Sequence, residues 1–175
     1  MYRILSESGK ADQLSCDYFS QSKTLVHRMP SPTHERTVSV FVSRVFQEIA
    51  LLCPRTTEGK SFSRKIVNRG SSTVEHATLP DKHEPDGSIS YDGAQAHGLV
   101  LEAVAFPQKG EVLDELAGFY LLDAHRKARV VIGIDIDYKG TKRVTLMTWR
   151  LNDVGDISKT IQVGLLALAL LCTSY

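Results

Sequence analysis

The sequence predicts a single domain of the α/β (α+β) class, on three observations. Apolar residues recur at three- and four-residue spacing in two segments, His34 to Cys53 and Glu111 to Ala124, as on one side of an amphipathic helix. Two apolar runs, Gly98 to Phe106 and Arg129 to Tyr138, read as strands covered on both faces, as at the centre of a sheet. The order of elements, helix, strands, helix, strands, fits one layered domain, and 175 residues are enough to bury roughly two-thirds of the unfolded surface.

Taken in order, residues 1–24 are polar and mixed, a loosely ordered lead-in. Leu25 to Met29 reads as a short strand, broken by Pro30-Ser31-Pro32, and Ser31 or Thr33 can cap the next segment. In the first helix Val38, Val42, Val45, Phe46, Ile49, Leu52 and Cys53 share one side, and Pro54 stops it. Arg55 to Lys60 reads as a polar connection. Phe62 to Leu79 reads as a hairpin or two short strands about Gly70, and Pro80 to Gly87 as a loop before a strand at Ser88 to Tyr91. After the long strand Gly98 to Phe106, Pro107 interrupts the ladder. The second helix carries Val112, Leu113, Leu116, Phe119 and Tyr120 on one side, and Arg143 to Arg150 alternates as a last strand.

Composition narrows the function classes. The apolar fraction of 42% and charged fraction of 23% are those of an ordinary globular protein, and a net charge of +1 implies neither a nucleic-acid partner nor a membrane surface. Three local basic clusters stand out: Lys60, Arg64, Lys65 and Arg69; Arg126, Lys127 and Arg129; and Lys139, Lys142 and Arg143. Cys16, Cys53 and Cys172 are odd in number and widely spaced, which suggests a reducing compartment rather than a disulfide framework or metal site. The first residues lack the apolar core of a signal peptide, so an intracellular protein, cytoplasmic or nuclear and not secreted, is expected. The apolar run Val163 to Cys172 has about half the length of a membrane-spanning helix, so no membrane association is expected; it is a packed terminal element or a tail outside the domain.

Two carboxylates invite chemistry. Asp86 ends the acidic turn His83-Glu84-Pro85-Asp86, and Glu102 lies midway along the best-defined strand, where an unpaired charge would cost several kcal/mol. Acids on neighbouring strands can share a hard divalent ion such as Mg²⁺, which takes one or two protein carboxylates and keeps several waters. Such an ion polarises a phosphoryl oxygen and lowers the pKa of the attacking water. Gln108 and Lys109, a few residues on, are the nearby groups that could orient the nucleophile or stabilise charge on phosphorus. Taken singly, a Pro-Asp turn is commonly structural and a strand glutamate is commonly an ion-pair partner; the pair in this context carries the signal.

An ordered series of segments then resembles a known family. Arg28-Met-Pro-Ser-Pro, His34-Glu35, Gly70-Ser-Ser-Thr-Val74, His83-Glu-Pro-Asp86, Gly98-Leu-Val-Leu-Glu102, Gln108, Leu113…Leu116-Ala117…Tyr120, Arg129 to Tyr138 and Trp149-Arg150 are similar to a group of restriction-endonuclease-like PD-(D/E)xK proteins found mostly in filamentous fungi. The resemblance covers about residues 25–150, roughly 70% of the chain, which divides it into a lead-in (1–24), a restriction-endonuclease-like domain (25–150) and an atypical apolar tail (151–175). It implies a mixed β-sheet flanked by helices, Asp86 and Glu102 as the two motif acids, and Glu35 as a third metal-side carboxylate. The helix macrodipole alone also favours an acid at position 35. His34 reads as a surface or capping residue.

Two departures from the family pattern matter. The motif lysine should stand two residues after the second acid, where this chain has Val104, although the relatives carry a glutamine that Gln108 matches. One extra residue also falls between Glu102 and Gln108, so a bulge near Phe106-Pro107 is needed for Gln108 to face the site. The expectation is a Mg²⁺- or Mn²⁺-dependent nuclease, with Asp86, Glu102, Gln108 and Lys109 catalytic and Asp86, Glu102 and Glu35 on the metal. The alternative is a catalytically silent module of the same fold that binds nucleic acid or protein. The first and third basic clusters are the expected source of contacts to a nucleic acid, and a homodimer is allowed.

Overall fold

The structure, a computed structural model, describes residues 16–27, 31–53, 56–105, 110–136 and 143–165. It is a mixed α+β domain with two sheets and, among the described residues, three helices. Strands β1 (Cys16–Phe19), β2 (Thr24–His27), β4 (Val74–Glu75) and β5 (Lys82–His83) build a four-stranded sheet in the order β2-β1-β5-β4. Strands β3 (Ile66–Asn68), β6 (Gly87–Tyr91), β7 (Leu99–Ala105), β8 (Val130–Ile136), β9 (Arg143–Leu151) and β10 (Ile157–Leu165) build a six-stranded sheet in the order β10-β9-β8-β7-β6-β3. Within it β7 and β8 are parallel and every other neighbouring pair is antiparallel.

Helix α1 (Pro32–Leu52) starts where the sequence dictates: Ser31 Oγ accepts the His34 N–H at 3.2 Å, and Pro32 opens the first turn, where its missing N–H costs nothing. Its apolar side, Val38 and Val42, covers Leu101, Ala103, Ile134 and Ile136 on one face of the large sheet. Helix α3 (Gly110–Gly118) covers the other face, packing Leu113, Leu116 and Ala117 against Val100, Val104, Val131, Met147 and Trp149. The chain then widens into a single π turn, Phe119–Asp123, in which the Ala124 N–H reaches back to Phe119 O at 2.8 Å. Gly133 makes the close packing on this face possible, because a Cβ there would lie 2.7 Å from the Trp149 ring.

Alternation along β7 therefore sorts its side chains. Leu99, Leu101 and Ala103 face α1, while Val100, Glu102 and Val104 face α3 and the π turn. The register with β8 runs unbroken from Leu99 opposite Val130 to Ala105 opposite Ile136, so β7 has no bulge over that span.

Several expectations need correction. Of the two readings of Phe62 to Leu79, two short strands about Gly70 hold and the hairpin does not: β3 pairs with β6 in the large sheet and β4 with β5 in the small one. The polar stretch after Pro54 is not all connection, since α2 (Thr57–Arg64) begins there under a Thr56 cap whose Oγ1 accepts the Gly59 N–H at 2.9 Å. The lead-in contains β1. The boundary after Arg150 falls inside β9, and the residues beyond it include β10, which pairs with β9 from Ile157 opposite Leu151 to Leu165 opposite Arg143. A tie to α3 secures this edge strand: Lys159 Nζ donates to Asp114 Oδ1 at 2.7 Å, and the Trp149 indole N–H donates to the same oxygen at 2.8 Å. No helix among the described residues is long and apolar enough to cross a membrane.

Candidate functional site

Gly87 at the start of β6 lies opposite Leu101 of β7, so the antiparallel register brings Asp86, one residue earlier, to the level of Glu102, one residue later. The Asp86 carboxylate then takes over where the backbone ladder ends. Its Oδ2 accepts the Ala103 N–H at 2.7 Å and lies 3.1 Å from His34 Nε2, which is also 2.9 Å from Ala103 O. Because Nε2 faces two acceptors, it carries the proton and donates to both. Asp86 and His34 thus cap the free edge of β7 in the plane of the sheet.

Sequence reasoning placed His34 at the surface or in a cap. The structure buries it at 8% exposure because its position, one turn into α1, points it at the edge that β6 leaves open. The hydrogen bond to Asp86 raises its pKa above the ordinary value, against the opposing pull of burial. Glu35 is different. It is largely exposed and lies 3.9 Å from His34 Nδ1, on the far side of the imidazole from Asp86, so it joins the cluster only through the histidine.

Glu102 is 2% exposed and projects to the α3 side. There the Tyr120 hydroxyl, delivered by the π turn, donates to Glu102 Oε1 at 2.6 Å. Asp86 and Glu102 therefore stand at the same level of β7, the first held edge-on from the α1 flank and the second turned to the α3 flank. Val104, at the place of the motif lysine, packs on the Glu102 face. Gln108, Lys109 and the Phe106-Pro107 step lie outside the described residues.

The small sheet fixes the turn that carries Asp86. Buried Asp17 of β1 accepts the Glu84 N–H at 3.0 Å, and its Oδ1 lies 3.3 Å from His83 Nδ1 without the alignment of a hydrogen bond. The His83 ring is wedged edge-on between Phe19 and Phe119, with centroids 4.6 and 4.3 Å away. Pro85 is fully buried. Sequence reasoning missed Asp17, because a lone acid in a polar stretch gives no signal until its partner, 66 residues later, is placed beside it.

The basic clusters divide between the two ends of the central strands. Register puts Arg143 of the third cluster at the Asp86 end, since Val144 pairs with Ile136 at the end of β8; Lys139 and Lys142 lie outside the described residues. Lys60, Arg64 and Lys65 of the first cluster run into Ile66, which pairs with Tyr91, so they sit at the opposite end, away from the acids, while the Arg69 N–H donates to Ser88 O at 2.9 Å. This corrects the expectation that the cluster adjoins the acids.

For a divalent ion, the donors would be the hard carboxylate oxygens of Asp86, just before β6, and Glu102 of β7, the chemistry Mg²⁺ or Mn²⁺ takes when waters complete the shell. Among the described residues no three His, Cys, Asp or Glu side chains form a metal-holding group. Comparison with known proteins finds no family model that matches the chain and no curated protein similar to it.

Proposed function

We propose that this domain is a restriction-endonuclease-like, divalent-metal-dependent nuclease that hydrolyses phosphodiester bonds of DNA or RNA at the Asp86 end of β7. The observation that carries the reading is the bond from Ala103 N to Asp86 Oδ2, 2.7 Å, which seats the acid of the proline turn against the strand one residue from Glu102. Asp86 and Glu102 would hold Mg²⁺ or Mn²⁺, which supplies polarisation of a phosphoryl oxygen and a lowered pKa for water. His34 positions Asp86 through its Nε2–H, and Tyr120 positions Glu102 through its hydroxyl. Gln108 and Lys109, directly beyond β7, are the groups proposed to orient the nucleophile and meet the charge on phosphorus, with Glu35 reaching the site through His34. Arg143 adds positive charge at the same end for a phosphate backbone.

One observation favours the second reading, a silent nucleic-acid- or protein-binding module: Glu102 is 2% exposed beneath the Tyr120 hydroxyl, as a structural carboxylate would be. Labelled DNA and RNA incubated with Mg²⁺ or Mn²⁺ separate the two. The nuclease cuts at least one polymer, loses about a hundredfold or more in rate in Asp86→Asn and in Glu102→Gln, and stops when the metal is chelated. Cutting that survives both substitutions rejects these residues as the site, and retention of nucleic acid without any cutting establishes the silent module.

A further inference from the structure

At the other end of β7, where the loops leading into β7 and β8 lie side by side, the surface encloses a cavity of about 520 Å³. Its walls include Arg69, Ser72, Glu75, His97, His125 and Arg126. We propose that this cavity is a binding site for a phosphate-class oxyanion, free or carried by a nucleotide, held between Arg69 and Arg126 against His97. It is independent of the proposed nuclease centre. The stretch of β7 from Leu99 to Glu102 separates the two, a rise of roughly 10 Å.

Three observations carry this. His97 is 9% exposed, lines the cavity, and has a buried Nδ1 without a hydrogen-bond partner, so the protein itself does not anchor the ring through that nitrogen. The two guanidinium groups come from separate loops and have little acidic pairing. Arg69 has only exposed Asp92, 3.8 Å away, and among the described residues no carboxylate pairs with Arg126. Burial first, then Arg126 and Arg69, hold the His97 pKa below its ordinary value, so the ring adds no competing positive charge to the cavity at neutral pH.

A phosphate group suits this lining. Its oxygens can accept from two guanidinium forks and from an imidazole N–H together, which a single carboxylate spans less well. The volume exceeds what a bare anion fills and lies within the usual range for small-ligand sites. Glu75, the one acid in the wall, would then accept from the hydroxyl or amino groups of an attached nucleoside.

The test is calorimetric titration of the full chain with inorganic phosphate and, separately, with adenosine monophosphate, with the His97 ring resonances followed by NMR. We expect saturable one-to-one binding of at least one probe and movement of those resonances. Arg69→Ala and Arg126→Ala should each weaken the binding about tenfold or more, while Asp86→Asn leaves it unchanged. Both arginines are exposed, so neither substitution touches the core. Equal affinity for the two probes would identify the free anion as the ligand, and tighter binding of the monophosphate a nucleotide. Absence of saturable binding by either probe at millimolar concentration, or binding indifferent to both arginines, overturns the proposal.

Discussion

The two ends of β7 carry the same residue in opposite electrostatic settings. His34 at the Asp86 end donates to a carboxylate, which raises its pKa; His97 at the other end is buried between two arginines, which with burial lowers it. The lesson is that the local field, and not the residue type, decides which ligand an end suits. On the proposed readings, the end with Asp86 and Glu102 suits a cation and the end with Arg69 and Arg126 an anion.

The sharpest way to break this contrast is Asp86→Ala. It leaves the Ala103 N–H without its acceptor and removes the charged partner of His34, so urea unfolding should show a loss of about 2–4 kcal/mol. A loss below about half a kcal/mol would mean that the edge cap is incidental. Tyr120→Phe comes next, at about 1–2 kcal/mol, because the buried Glu102 carboxyl loses a hydrogen-bond donor.

Titration sharpens the comparison further. The raised pKa of His34 contributes stability that is fully present below the unfolded value of 6.5 and is lost as pH rises through the higher folded value. The lowered pKa of His97 has the opposite slope, costing stability as pH falls below 6.5 toward the folded value. Urea midpoints between about pH 5 and pH 8 should therefore decline on both sides of a maximum. His34→Gln should flatten the alkaline limb and His97→Gln the acid limb; a profile that neither substitution alters would contradict the assignment of the two environments. The smallest effect belongs to Arg126→Ala, within about 0.5 kcal/mol of wild type, since an exposed arginine retained for a ligand adds little to folding.

How much of this was legible in the sequence depends on how local each cause is. Ser31 and Pro32 announce α1 by themselves, and the apolar runs of β7 and β8 need no distant partner to be read as buried strands. By contrast α2, Thr57–Arg64, contains one large apolar residue, Phe62, which is 46% exposed, so no periodicity marks it and only the Thr56 cap does. That β3 and β4 part into different sheets depends on β6 and β5, which lie further along the chain. At the site, the level match of Asp86 with Glu102 could be anticipated from a turn and an adjoining strand. The roles of His34 and Asp17 could not, since each is defined by a partner 52 or 66 residues away, and His97 signals nothing until Arg69 and Arg126 close in on it.

Calorimetric titration with Mn²⁺ tests the central claim most directly. Saturable uptake is expected, abolished in Asp86→Asn and in Glu102→Gln and unaffected in Arg126→Ala. Absence of uptake by the wild-type chain, or uptake that persists when both acids are replaced, would contradict it.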